Sequence, residues 1–176
     1  MEDERVEVVN KSLFDVTKED IADCDVMISA YGSGFDANPT LNHKAFLKYI
    51  ELNEGTKRHL IAIGGAGSLF TDSTHTTYCY ETPEHPDFLR EISKNIKLGI
   101  DELKKTSDVN WTVVCPSSFF DSEGALTGNY EIGTEEQVIF NEAGESRVTY
   151  EDLAMAMLDI AEADNYNQKQ ITVLTK

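Results

Sequence analysis

The side chains in this sequence that could carry out chemistry are mainly tyrosines, histidines and serines. A Tyr-x-x-x-Lys pair acts as a proton donor in reductive chemistry, because the nearby ammonium group lowers the pKa of the phenol. None of the seven tyrosines has a lysine four residues later. The four histidines lack metal-site spacing, and the GAGSL segment lacks the second glycine of a G-x-S-x-G hydrolase elbow. The sequence therefore predicts neither a metal site nor a serine hydrolase.

Two tyrosines lie in a polar and aromatic segment that follows a predicted strand. Residues 70–86, FTDSTHTTYCYETPEHP, contain two prolines together with Tyr78 and Tyr80. In open α/β sheets, ligands bind beyond the carboxyl ends of the strands. We therefore expect this loop to form a lid or wall, in which Tyr78 and Tyr80 contact the ring of a bound substrate by stacking. The alternative is that both rings only pack the loop against the protein.

Apolar runs rich in β-branched residues alternate with helical segments, as is typical of βα units around a parallel sheet. The runs VMISA, LIAI and WTVVC are almost wholly apolar, like strands that helices cover on both faces. We expect the three strands that contain them to be the central ones. The predicted strands are residues 5–9, 25–30, 59–63, 111–115 and 171–174.

Helix signals occur in three places. Thr17 and Thr149 are predicted N-caps, because each precedes an acidic residue by three positions, and an apolar pair one residue before and four residues after each threonine can form a hydrophobic staple. Residues 87–106 form the longest predicted helix, with one apolar face containing Phe88, Ile92, Ile96, Ile100 and Leu103. Between these helices, residues 121–147 contain short apolar stretches separated by glycines. They predict a small hairpin appended late in the sheet.

Composition narrows the class of protein. The 176 residues are enough for one domain with a continuous core, so we expect a single domain over residues 1–176. A net charge of −17 repels phosphate backbones and anionic lipids, which argues against nucleic-acid and membrane partners. The acidic start, MEDERVEVV, is unlike a secretory signal, and we expect a cytoplasmic protein. The three cysteines are expected to be reduced, with Cys115 and Trp111 buried in their strand.

Six segments follow one another in an order typical of one protein family. They are VEVVNKSLFDVT, DCDVMISAYG, RHLIAIGGAGSL, NWTVVCPSSFF, LTGNYEIG and SRVTYEDLAMAMLDIAE. Together they resemble the atypical short-chain dehydrogenase/reductase proteins of the NADH-flavin reductase-like or NmrA-like kind, over essentially the whole chain. The resemblance implies a Rossmann-like three-layer α/β fold with a mostly parallel sheet. It further implies NAD or NADP as cofactor and an NAD(P)H-dependent reductase acting on an unknown small molecule of flavin or quinone type. The alternative is a non-catalytic regulatory protein that senses a dinucleotide.

The resemblance also indicates site residues. Ser12 and Leu13 would face the adenine, and the backbone of residues 30–32 would approach the nicotinamide. Ser68 is the candidate catalytic residue, because its hydroxyl would orient a substrate carbonyl. The full set of implied cofactor-binding residues is Ser12, Leu13, Ala30, Tyr31, Gly32, Gly64, Gly65 and Pro116.

One part of the family pattern is not found in this sequence. Family members open with a strand and a G-x-x-G-x-x-G loop at a helix N-terminus, where backbone N–H groups hold the pyrophosphate. Here only four residues precede the predicted strand at residues 5–9, and the cluster Gly64-Gly65-Ala66-Gly67 leads into a polar loop instead. We therefore expect this chain to bind NADH or NADPH weakly or not at all. A version that includes an upstream βαβ unit is expected to bind in the micromolar range.

In the family that this chain resembles, the strand of that opening unit is central to the sheet. Without it, residues 25–30 would have an exposed apolar edge, and residues 5–9 would lack a partner. Exposed edges favour self-association. Three explanations remain open: the chain is part of a longer product, which we favour; the remaining strands pair differently; or another chain covers the edge. A truncated product would bind no ligand.

Overall fold

Strands and helices alternate along the chain, as expected for βα units. The computed structural model describes residues 4–35, 38–163 and 165–176. Its α-helices are α1 (Thr40–Asn53), α2 (Asp87–Lys104) and α3 (Tyr150–Ala163). Its strands are β1 (Val26–Ser29), β2 (His59–Ile63), β3 (Asn110–Pro116), β4 (Phe119–Asp121), β5 (Tyr130–Gly133), β6 (Arg147–Thr149) and β7 (Lys169–Thr175). In the described ranges, no helix is long and apolar enough to cross a membrane.

Five strands form one sheet in the order β1-β2-β3-β7-β5. The first four are parallel, and β5 runs antiparallel to β7. Strands β4 and β6 form a separate parallel pair. This architecture confirms the predicted Rossmann-like fold with a mostly parallel sheet. The strands predicted at residues 59–63, 111–115 and 171–174 are confirmed.

Helices cover both faces of the sheet, which explains the nearly continuous apolar strands. Side chains alternate between the two faces along β3, because successive residues of a strand point in opposite directions. Trp111, Val113 and Cys115 lie in the core formed with α1 and α2. Val114 lies in the opposite core, where Leu153 of α3 is also buried. The strand ends therefore lie between two well-packed layers.

The strand predicted to be central at residues 25–30 is instead an edge strand. Within the described ranges, β1 pairs with β2 alone, so the expected exposed edge is confirmed. The strand predicted at residues 5–9 is wrong: this segment is in no strand. Its valines Val6, Val8 and Val9 are 63%, 86% and 65% exposed. Propensity alone does not form a strand, because the backbone N–H and C=O groups need a neighbouring edge.

The hairpin predicted within residues 121–147 is also wrong. The NYEIG stretch gives β5, whose partner is the distant β7. The QVIFN stretch forms no named strand, and Val138 packs into the core, where its backbone N–H donates to the carbonyl of Phe70 at 3.0 Å. The free edge of β7 thus pairs with β5, although no local turn joins the two strands.

Some of the predicted helices are present in the structure and one is not. The Thr149 hydroxyl accepts from the backbone N–H of Asp152 at 3.0 Å and caps α3 as predicted. Thr17 and Asp20 also exchange hydrogen bonds, but only the three-residue 3₁₀ turn Glu19–Ile21 follows. The predicted helix at residues 87–106 is confirmed as α2. Helix α1 was missed, because buried polar residues such as Asn42 and Asn53 interrupt its apolar face.

The predicted burial of Trp111 and Cys115 is confirmed, since they are 2% and 0% exposed. Burial raises the pKa of the Cys115 thiol. It also raises the pKa of Cys79, to about 11. All three cysteines are free, and Cys24 is the exposed one.

We expect only one thiol to react quickly with a thiol reagent in the native protein. Cys24 is exposed, whereas burial limits access to Cys115 and disfavours its reactive thiolate form. Timed labelling with a disulfide reagent, read by peptide mass spectrometry, measures the rates. Unfolding in urea should make all three cysteines react alike. Fast labelling of Cys115 without denaturant would contradict its burial.

Candidate functional site

A groove opens at the carboxyl end of β1 and continues along its exposed edge. Its cavity volume is about 790 Å³. The segment 30–34, which follows β1, forms its rim, and Phe46 of α1 and Met157 of α3 form opposite walls. We call it the first groove. In open α/β sheets, such a crevice beyond the strand ends is the usual ligand site.

A second groove of about 790 Å³ adjoins the first. It lies at the carboxyl ends of β2 and β3. Part of the loop predicted as a wall, residues 70–86, lines it through Thr71, Cys79, Thr82 and residues 84–86. Gly64, Ile92 and Tyr150 line both grooves. At the junction, the rings of Phe120 and Tyr150 stack with centroids 3.9 Å apart. The two grooves therefore form one continuous crevice with an aromatic pair in the middle.

Gly64, at this junction, packs closely against β3. A Cβ atom at this position would lie 2.7 Å from both Cys115 Sγ and Val113 Cγ1. Such distances are closer than van der Waals contact allows, so a side chain would displace β3. The close approach of two strands explains a glycine at this strand end.

The structure brings most of the predicted cofactor residues together. Ala30, Tyr31 and Gly32 line the first groove, Gly64 lines both, and Gly65 and Pro116 line the second. Ser12 and Leu13 line neither groove. The hydroxyl of Ser12 accepts from the backbone N–H of Phe14 at 3.3 Å, and Leu13 packs against the core. Their predicted adenine contact stays a prediction.

Ser68, the predicted catalytic residue, is 1% exposed and lines neither groove. Its hydroxyl donates to the carbonyl of Gly65 at 2.7 Å and lies 3.1 Å from Nε2 of Gln170. These contacts tie the turn after β2 to β7. The catalytic role stays a prediction, and the geometry favours a structural role.

Tyr78 and Tyr80 also lie outside the lining of both grooves. Their rings stack on each other at 5.8 Å, and Tyr78 stacks on Phe70 at 4.2 Å. The ammonium group of Lys97 lies 4.5 Å from the centre of the Tyr78 ring. The fold thus places a lysine beside a tyrosine that is 19 residues away in sequence, a pairing that a Tyr-x-x-x-Lys search cannot find. Substrate contact by these tyrosines stays a prediction.

The sequence analysis missed one pair of polar side chains in the second groove. Nε2 of His85 lies 3.1 Å from Oγ of Ser93, and both residues line the groove. Burial, and then the positive charge of Arg90, lower the pKa of His85. An i, i+8 spacing across a loop–helix boundary is no recognised motif, so only the position of His85 in a strand-end loop could have indicated it.

The charge of the crevice differs from that of a typical phosphate site. In the described ranges, no lysine or arginine lines either groove. Helix α3, which borders the first groove, has Glu151 and Asp152 in its first turn. Acidic side chains there oppose the attraction of a helix N-terminus for phosphate. The crevice therefore fits uncharged rings better than phosphates.

The chain is similar to proteins of known sequence and to solved structures. The chain is 32% identical over 177 residues to the uncharacterized protein YwnB of Bacillus subtilis (strain 168), covering 100% of this chain and 82% of YwnB. It also matches the crystal structure of a candidate NADH-flavin reductase from Streptococcus pneumoniae TIGR4. That match has a TM-score of 0.89 and 34% identity, and covers 96% of this chain and 80% of the other.

A second solved structure, a candidate exported protein from Burkholderia pseudomallei, matches with a TM-score of 0.78 and 26% identity. The match covers 93% of this chain and 78% of the other. Residues 1–164 match the sequence model of a family described as NAD(P)H-binding. That match spans far more than half of the chain, and the chain therefore belongs to this NAD(P)H-binding family.

Proposed function

We propose that this protein is an NAD(P)H-dependent reductase whose acceptor is a flat conjugated ring system, a quinone or a flavin. The observation that carries the proposal is the continuous crevice at the strand ends, with the Phe120–Tyr150 stack at its junction. Family membership and the similarity to a candidate NADH-flavin reductase support it. The first groove would hold the nicotinamide and the second groove the acceptor.

The residues of the crevice fit part of the cofactor. Gly32 lines the first groove and has open space around its Cα, which suits the close approach of a nicotinamide ring. When bound, NAD(P)H would supply the hydride. The protein would align the two rings and exclude water between its apolar walls. In such a reductase, the crevice would hold the two rings in position and keep water away from them.

Filling the first groove tests this proposal. A Cβ atom at Gly32 would have no heavy atom within 4 Å, so the side chain of Gly32→Leu would enter open space. We expect NADH oxidation with menadione or FMN to fall at least tenfold. The melting temperature should stay within about 2 °C, because no packed atom is displaced. Gly32→Ala is the matched control and should keep most of the activity.

A non-catalytic dinucleotide sensor remains the second candidate. It would bind NADH, with an affinity that Gly32→Leu weakens, but would oxidise no NADH with any acceptor. A chain that binds no dinucleotide would contradict both candidates.

The predicted cytoplasmic location, the single domain and the exclusion of nucleic-acid and membrane partners stay predictions.

We also propose that the chain associates with a second copy of itself through β1. Ile28 on this edge strand is 46% exposed, and residues 6–9, which include the exposed Val6, Val8 and Val9, belong to no strand in the part of the chain that the structure describes. Two such edges complete their backbone hydrogen bonds by pairing.

Sedimentation velocity over a hundredfold concentration range should show the proposed dimer. Val8→Lys should shift it to monomer, because a charged side chain disfavours edge pairing. Leu126→Lys, at a residue that is 53% exposed outside β1 and residues 5–9, is the control and should not shift it. A monomer at all concentrations would rule out this proposal.

A further inference from the structure

The second groove contains a pair of side chains able to hold and pass a proton, His85 and Ser93. Nε2 of His85 and Oγ of Ser93 are 3.1 Å apart, within hydrogen-bond distance. The two residues come from different elements, His85 from the loop before α2 and Ser93 from α2 itself. Their pairing is therefore a product of the fold.

Neighbouring residues hold this pair in place. The guanidinium of Arg90 donates to the carbonyls of His85 and Thr82 at 3.0 and 3.1 Å, which ties the loop to α2. Gly67 packs directly against the pair: a Cβ atom there would overlap Ser93 and lie 2.9 Å from Cε1 of His85. Ser93 is 6% exposed, so few alternative positions are open to its hydroxyl. The pair is preorganised.

The surroundings also affect the acidity of His85. Burial and the charge of Arg90 lower its pKa. An imidazolium with a lowered pKa is a stronger acid than an exposed one, although it is present as a smaller fraction at neutral pH. Ile92 and Ile96 line the same groove and give it an apolar wall beside the pair.

We propose that Ser93 binds a carbonyl oxygen of a quinone acceptor in the second groove, and that His85 and Ser93 together deliver the proton that its reduction requires. This step rests on the proposed reductase function, in which NAD(P)H supplies a hydride with both electrons. The reduced acceptor oxygen takes the hydroxyl proton of Ser93. Oγ of Ser93 takes the Nε2 proton of the His85 imidazolium, and the neutral imidazole regains a proton from water.

Binding of two ligands with the same ring skeleton tests the carbonyl contact without any turnover. Menadione has two ring carbonyls, and 2-methylnaphthalene has none. We expect Ser93→Ala to weaken menadione binding about fivefold, the effect of one neutral hydrogen bond, and to leave the hydrocarbon unaffected. Fluorescence or NMR titration of the full chain gives both constants. Circular dichroism checks that the variant is folded.

Turnover then tests proton delivery. His85→Phe keeps a ring of similar size and removes both nitrogens, so kcat with NADH and menadione should fall about a hundredfold. The menadione dissociation constant should change less than threefold. His75→Gln is the matched control, because His75 is exposed and lines neither groove. It should change neither value.

The outcomes separate the two proposals. Equal effects of Ser93→Ala on both ligands, or no measurable menadione binding to the wild type, would overturn the carbonyl contact. An unchanged kcat in His85→Phe would overturn proton delivery. Selective menadione binding by a wild type that oxidises no NADH would instead overturn the proposed reductase function.

Discussion

We expect NADH to bind this chain with a dissociation constant in the millimolar range, and to bind more tightly as salt is raised. In the described ranges, no lysine or arginine lines the crevice, and Glu151 and Asp152 stand at the start of α3. The cofactor phosphates would meet a chain with a net charge of −17. Losing about 4 kcal/mol of phosphate recognition weakens a micromolar site roughly a thousandfold.

Calorimetric titration of NADH at about 20 and 200 mM salt measures the affinity and shows whether it rises or falls with salt. Salt screens repulsion between like charges, so the affinity for NADH should rise several-fold. Reduced nicotinamide riboside has no phosphate and is the control, whose affinity should not depend on salt. Micromolar binding of NADH, or binding that weakens with salt, would show that cations hold the phosphates.

The second large effect is expected in the core. Trp111→Ala should lower the free energy of unfolding by about 3–5 kcal/mol, because it leaves a large cavity beside Val113 and α2. Trp111→Phe should cost much less, about 1 kcal/mol. Among the residues that the structure describes, Nε1 of Trp111 is buried and has no hydrogen-bond partner; phenylalanine removes this donor and keeps an aromatic ring in the core.

Urea unfolding followed by far-UV circular dichroism compares the three proteins. This signal is appropriate because Trp111 is the single tryptophan and its fluorescence would be lost. A loss of 3 kcal/mol is a large fraction of the stability of a typical domain, so Trp111→Ala should also melt well below the wild type. Equal losses in both variants would contradict the expectation that an aromatic ring at this position keeps most of the packing.

Local sequence signals predicted several elements correctly. The apolar runs at β2 and β3 indicated buried parallel strands, because two covering helix layers leave no polar face. The Thr149 cap marked the start of α3, and the apolar spacing of residues 87–106 marked α2. Each of these signals depends on residues within one element. The order of six such segments also predicted the family.

Other features depended on contacts between distant segments. Residues 5–9 and β1 have similar β-branched composition, yet only β1 is a strand, since β2 offers it an edge. Pairing of β5 with β7 replaced the predicted hairpin for the same reason. Backbone hydrogen bonds need a partner, and sequence composition does not say which segment will supply it.

Some residues of the candidate site were likewise indicated by the sequence, and others were found only in the tertiary structure. The family resemblance that the sequence carries indicated the strand-end residues 30–32, Gly64, Gly65 and Pro116, which lie in the crevice because it follows the carboxyl ends of the strands. Their contact with a cofactor stays a prediction. Only the tertiary structure decided that Ser68 is buried and that His85 meets Ser93 in the crevice. Exposure and side-chain contact depend on how loops pack against helices, and no spacing rule within one segment determines that packing.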